Sequence, residues 1–89
     1  SALAAGLVGE VVADEQLHAH ASELATRLAN GPTFAFAQTK TLIREGAGRS
    51  LPEQLEAELA AGLLCGRSDD GAEALRASME KRLPVFSGR

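Results

Sequence analysis

The spacing of the hydrophobic positions changes at Asp14. Before it, the stretch GLVGEVV at residues 6–12 is a short apolar run with β-branched residues, which favours a buried strand or extended segment over a helix. After it, apolar residues recur at steps of four, three and four, the spacing of one face of an amphipathic helix: Leu17, Ala21, Leu24 and Leu28. The Asn-Gly-Pro at residues 30–32 predicts the end of this helix, because glycine accepts a left-handed cap and proline cannot continue a helix.

Two more helices are predicted from their start and stop signals. One has Pro32 in its first turn and ends at the glycines of residues 46–48. Its apolar face comprises Ala35, Thr39, Leu42 and Ile43. The next begins with Ser50 followed by Glu53, the spacing of a capping box. Its leucines recur at steps of four residues: Leu51, Leu55, Leu59 and Leu63.

A fourth helix is predicted to begin at Ser68, whose side chain and the following acidic residues suit a helix N-terminus. Its expected inner face comprises Ala72, Leu75 and Met79. Lys81 and Arg82 are expected in its last turn, where cations interact favourably with unpaired carbonyl groups, and Pro84 ends it. This role accounts for both cations without any ligand.

The whole pattern predicts an all-α fold of about four helices with one short N-terminal extended segment. The extended segment covers residues 1–13 and the helical region covers residues 14–89. With 89 residues, the chain is one small domain at most and buries only about 60 to 65% of its unfolded surface. Aromatic residues make up 3% of the sequence, so its apolar side chains are mainly small. We therefore expect it to need a partner surface, either more of its own polypeptide or other copies.

The charge of the chain argues against a nucleic-acid partner. Its formal net charge is -3, and no basic stripe is present. The one cysteine, Cys65, cannot form an internal disulfide, and the sequence contains neither a signal peptide nor an apolar run of membrane-spanning length. The sequence therefore predicts a cytoplasmic protein without a membrane span.

No catalytic or metal-binding residue is predicted. His18 and His20 are two positions apart, which on a helix directs them about 200° away from each other, so they cannot chelate one metal. The adjacent carboxylates at residues 69–70 are typical of helix capping rather than of an acid pair. Cys65 has no neighbouring histidine and is interpreted as a small packed side chain rather than a nucleophile.

The order of the motifs carries a family resemblance over essentially all 89 residues. The chain resembles the C-terminal region of the crotonase superfamily, which is the enoyl-CoA hydratase and isomerase family. The stretches that carry the resemblance are, in order, ALAAGLVGEVV, LATRLANGPTFAFAQTKTLI, SLPEQLEAEL and SDDGAEALRASMEKRLPVFSG.

The resemblance implies that the chemistry lies outside these residues. Family members have an N-terminal spiral core of ββα units, in which two backbone N–H groups polarise a thioester carbonyl and one or two glutamates move protons. Residues 1–13 would be the end of that core, and residues 14–89 a helical region that packs in a trimer or a dimer of trimers. No separate cofactor is implied, because the acyl substrate is carried as a coenzyme A thioester.

One binding residue follows from the resemblance. Lys81 matches a lysine that family members place near the adenosine and phosphate end of CoA, often in a neighbouring subunit's site. This role is compatible with stabilisation of the helix end. Three residues earlier many relatives have a phenylalanine beside the adenine, whereas this chain has Ser78. Lys40 matches a frequent lysine to which we assign no role.

Two hypotheses about function therefore stay open. In the first, the chain is the C-terminal fragment of an enzyme of fatty acid or related acyl-CoA metabolism that adds water to 2-enoyl-CoA, with enoyl-CoA isomerisation or another crotonase reaction as the alternative. In the second, it is a stand-alone oligomerisation module without catalysis.

Overall fold

The computed structural model describes residues 1–89 and contains four α-helices and no β-strand. A short 3-10 helix at Asp14–Gln16 precedes them. The helices are α1 (Leu17–Ala29), α2 (Thr33–Gly46), α3 (Leu51–Arg67) and α4 (Asp69–Glu80). The predicted all-α class is confirmed.

The N-terminal segment contains no strand, so the strand interpretation of GLVGEVV is wrong. Its first residues form hydrogen-bonded turns, with the N–H of Ala5 donating to the carbonyl of Ser1 and that of Leu7 to Ala2. The residues that follow, up to Ala13, have no regular structure. A strand needs a neighbouring strand to satisfy its backbone, and this chain offers none. The division between residues 1–13 and 14–89 stays a prediction.

The turn between α1 and α2 is built differently from the expectation. Asn30 ends α1 in a right-handed conformation, and Gly31 does not adopt a positive φ. Glycine leaves space at this position instead, since a Cβ on Gly31 would lie 2.8 Å from the ring of Phe36, which would have to shift. The glycine thus lets the first turn of α2 close onto the end of α1.

The predicted starts of α3 and α4 are confirmed. The hydroxyl of Ser50 accepts a hydrogen bond from the N–H of Glu53, and the Glu53 carboxylate accepts one from the N–H of Ser50. These two bonds complete the capping box. The hydrogen bond from the backbone N–H of Ser50, followed by the Ser50 side chain, lowers the pKa of the Glu53 carboxyl below its usual range. At α4, the hydroxyl of Ser68 accepts a hydrogen bond from the N–H of Gly71.

The helices pack in sequence, α2 on α3 and α3 on α4. The face of α4 that packs is not the predicted one. Ala77 is fully buried, whereas Leu75 and Met79 are 64% and 70% exposed. Because successive residues are rotated by 100° on a helix, Leu75 and Met79 lie on the side of α4 opposite Ala77. They form an apolar stripe that no other part of the chain covers. On α3 the predicted row of leucines is likewise exposed along its whole length: Leu51, Leu55, Leu59 and Leu63.

The molecule is a flat slab measuring 42 × 39 × 18 Å. Its radius of gyration is 16.7 Å, against about 12 Å for a compact domain of this length. Only Ala61, Ala77 and Asp70 are buried. The accessible surface of 7059 Å² exceeds by roughly 2,100 Å² the value of about 4,900 Å² expected for a folded monomer of this mass. The chain thus leaves much of its surface uncovered, including many of its large hydrophobic side chains.

None of the helices combines the length and the apolar character that crossing a bilayer requires.

Candidate functional site

Lys81 lies immediately after α4 rather than in its last turn. The helix ends at Glu80, and Lys81 adopts a left-handed conformation with φ 56° and ψ 43°. The N–H of Lys81 donates to the carbonyl of Ser78 and the N–H of Arg82 to that of Ala77, at 3.2 and 3.0 Å. These two bonds are the Schellman arrangement, in which the left-handed position is usually glycine. Lys81 is the one residue other than glycine in this chain with a positive φ.

The turn at Lys81 sends the chain back along α4. We name residues 81–89 the C-terminal hook. Its backbone is held by two carboxylates near the start of α4, since Glu73 accepts from the N–H of Val85 at 2.8 Å and Asp70 accepts from the N–H of Ser87 at 2.7 Å. Asp70 also accepts from the N–H of Gly88 at 2.9 Å, and its own N–H donates to the carbonyl of Arg89. The hook therefore runs antiparallel to α4.

Arg82, at the near end of the hook, forms a bidentate ion pair with Glu73. Its Nη1 and Nη2 donate to Oε2 and Oε1 of Glu73 at 2.7 and 3.0 Å, and its Nε donates to Glu80 at 2.6 Å. The hydrogen bonds from Arg82, followed by that from the N–H of Val85, lower the pKa of Glu73 to about 2. The contacts with Glu73 and Glu80 raise the pKa of Arg82.

The interpretation of residues 69–70 as capping chemistry is wrong for Asp70. Ser68 alone caps α4, and Asp70 is 4% exposed with both carboxylate oxygens engaged by the hook. Sequence reasoning also missed Glu73 as a partner of Arg82. The carboxylates at 70 and 73 share a face of the helix, but the residues that they bind lie 9 to 18 positions further on, so no local signal identifies them.

The far end of the hook packs near the start of α2 and the corner between α3 and α4. Phe86 is half-buried and lines a small cavity together with Pro32, Cys65 and Asp70. Gly88 has φ 80°, and a Cβ there would lie 2.7 Å from the Oγ1 of Thr33 at the start of α2. The tail of the hook is therefore a packing element.

The ammonium group of Lys81 is left without a carboxylate partner. Lys81 is exposed and takes part in none of the ion pairs of the chain. The two acidic residues nearest to it along α4, Glu73 and Glu80, are both occupied by Arg82. Ser78 is exposed one turn before Lys81. The end of the helix therefore carries one positive charge that is not paired with a carboxylate of the chain.

The remaining candidates form no second site. His20 pairs with Glu10 and thereby ties the N-terminal segment to α1. No group of three or more His, Cys, Asp or Glu side chains lies close enough together to hold a metal ion. Lys40 lies with Arg44 along an open groove on one face of α2.

Comparisons with known proteins identify the relatives of this chain. The sequence profile described as enoyl-CoA hydratase/isomerase matches residues 1–89. A probable enoyl-CoA hydratase of Rhodobacter capsulatus is 39% identical over 84 residues, which are 94% of this chain and 33% of the relative. The 1,2-epoxyphenylacetyl-CoA isomerase of Escherichia coli is 38% identical over 84 residues, which are 94% of this chain and 32% of the relative.

A solved structure agrees with the sequence relatives. The crystal structure of a protein assigned as an enoyl-CoA hydratase/isomerase, from Mycobacterium abscessus, superposes with a TM-score of 0.94 at 42% identity. The superposition covers 99% of this chain and 34% of that protein. The chain thus spans about a third of the length of the relatives that it matches.

Proposed function

Because this chain belongs to the enoyl-CoA hydratase/isomerase family, we propose that it forms the C-terminal part of an enzyme that adds water to 2-enoyl-CoA thioesters. The observation that carries the proposal is the match to this family along residues 1–89. The chain supplies no catalytic residue, so proton transfer and polarisation of the thioester belong to the other two thirds of the enzyme. Hydration is chosen because the Rhodobacter relative is named as a hydratase.

The exposed surface is expected both of a part of a larger enzyme and of an oligomerisation module, and the match to only a third of the length of its relatives favours the first. The excess of roughly 2,100 Å² is well above the about 800 Å² that one partner buries in an interface of standard size. Apolar stripes of this extent are covered by the remaining polypeptide and by other subunits, in a trimer or a dimer of trimers. We place the assembled enzyme in the cytoplasm and in fatty acid or related acyl-CoA metabolism, with no separate cofactor.

Lys81 is the residue of this chain that we assign to the substrate. It binds a phosphate at the nucleotide end of CoA, far from the bond that reacts. The support is its exposure, its lack of an ion pair and its left-handed backbone, since a residue held in a rare conformation marks a functional position more often than chance. An ammonium group offers three donors and a full charge to a phosphate oxygen.

Isomerisation of enoyl-CoA is the second candidate reaction, because the family that matches residues 1–89 is described as enoyl-CoA hydratase/isomerase. The test is product analysis with the purified enzyme that carries this chain. Hydration converts crotonyl-CoA to 3-hydroxybutyryl-CoA, whereas isomerisation converts a 3-enoyl-CoA to the 2-enoyl-CoA without adding water. Turnover of the 3-enoyl substrate alone selects the isomerase, and turnover of neither rejects both reactions. The isolated 89-residue chain is expected to turn over neither.

A further inference from the structure

The left-handed turn at Lys81 is disfavoured for a residue with a side chain, so it must be held by contacts elsewhere. The Schellman bonds alone form at many helix ends, most often with glycine. In this chain the residues that follow the turn are also bound to α4. Glu73 binds Arg82, the residue that follows Lys81, and binds the N–H of Val85 further along the hook.

Glu73 is well placed to act as this anchor. Its side chain is 13% exposed, and its two oxygens together accept from Nη1 and Nη2 of Arg82 and from the N–H of Val85. Two parallel bonds to a guanidinium fix its direction as well as its distance. Arg82 in turn keeps Glu80 occupied through its Nε. Without Arg82 in this position, both carboxylates would be free to attract the ammonium group of Lys81.

We propose that Glu73 is a positioning residue for Lys81, which it holds in the left-handed turn and keeps free of carboxylate partners by binding Arg82. This inference rests on the proposed function of Lys81 as a ligand of the CoA nucleotide. Glu73 itself touches no substrate. Glu73 affects substrate binding only through Lys81, by fixing where its ammonium group points and by keeping that group unpaired.

The test is steady-state kinetics of the complete enzyme that carries this chain. Glu73→Gln keeps the shape of the side chain but removes its charge and one of its acceptor oxygens. We expect the KM for crotonyl-CoA to rise about fivefold with kcat unchanged, because binding of a remote nucleotide is not part of the bond-making step. With a crotonyl thioester of pantetheine, which lacks the nucleotide, the KM should not change.

Lys81→Ala provides the second arm. In the Lys81→Ala background, Glu73→Gln should produce no further rise in KM, since the charge that it positions is absent. Arg76→Gln is the matched control, because Arg76 also contacts Glu73, at 3.2 Å, but lies outside the hook. If Glu73→Gln fails to fold, Arg82→Lys retains the charge and removes the two-pronged contact, and the same rise in KM is expected.

The outcomes separate the inference from the function on which it rests. If Lys81→Ala leaves the KM for crotonyl-CoA unchanged, the nucleotide contact fails and the positioning role fails with it. If Lys81→Ala raises the KM but Glu73→Gln raises it equally in the Lys81→Ala background, or equally with the pantetheine thioester, only the positioning role is overturned.

Discussion

Gly71 lies so close to the carbonyl oxygen of Cys65 that a Cβ on Gly71 would stand 2.2 Å from that oxygen. This contact sets the corner between α3 and α4. The obstacle is backbone, which cannot move aside as a flexible side chain could. Every feature of the C-terminal hook depends on the corner, because it directs α4 and thereby Asp70 and Glu73.

Gly71→Ala is therefore expected to destabilise the enzyme that carries this chain by about 2 kcal/mol or more. Gly48→Ala is the matched control, since Gly48 is exposed and a Cβ there would meet only the carbonyl of Glu45 at 3.8 Å. The control should change stability by no more than about 0.5 kcal/mol. Thermal unfolding of the two variants checks this, and equal midpoints would contradict a tight corner at Gly71.

The capping box of α3 gives a second prediction. Ser50→Ala removes the acceptor for the N–H of Glu53 and should cost about 1 kcal/mol. Ser78→Ala, at an exposed position within α4, should cost less than about 0.5 kcal/mol. Urea unfolding of both variants measures the difference. A loss at Ser78 as large as that at Ser50 would show that the cap is not the cause.

The starts of the helices were predictable because capping is local. Ser50 with Glu53, and Ser68 with Gly71, lie three residues apart, so the sequence contains both partners within one turn. The packed face of α4 was not predictable in this way. Leu75 and Met79 form the more apolar stripe, yet Ala77 is the apolar residue of α4 that is buried. Apolar periodicity shows that a surface is to be covered, but not by which part of the protein.

The site was predictable only in part for the same reason. The family resemblance predicts Lys81 as a binding residue, and the sequence alone predicts it as a cation at the end of a helix. The hydrogen bonds that hold the hook join residues up to 19 positions apart, from Asp70 to Arg89, and depend on a turn with a lysine in a left-handed conformation. Pro84 predicts that the helix ends nearby. Because glycine or asparagine is the usual residue at a left-handed turn, a lysine there does not predict that the chain returns along α4.

The left-handed turn leads to a prediction about stability and binding together. Lys81→Gly removes the steric cost of the positive φ and should stabilise the enzyme by up to about 1 kcal/mol. The same variant loses the ammonium group, so its KM for CoA thioesters should rise. Thermal unfolding and steady-state kinetics on one preparation measure both. A lower unfolding midpoint would argue that the lysine side chain, rather than the hook, holds the turn.

The ion pair of Glu73 predicts a dependence of stability on pH. Its folded-state pKa is lowered to about 2 from an ordinary value of 4.5. The stability that it contributes is therefore fully present above pH 4.5 and is lost as the pH falls from 4.5 towards 2. The Glu73→Gln variant has no carboxylate at this position and should not lose this contribution. The free energies of unfolding in urea of the wild type and the variant should therefore converge as the pH falls from 4.5 towards 2. Curves that stay parallel would exclude Glu73 as a contributor.

The central claim is that the exposed apolar surface of this chain belongs inside a larger assembly. Sedimentation of the isolated 89-residue chain at increasing concentration tests it most directly. We expect self-association or an expanded, poorly folded species, because the isolated chain leaves many large hydrophobic side chains exposed. A compact, stable monomer of 9.2 kDa across the concentration range would contradict it.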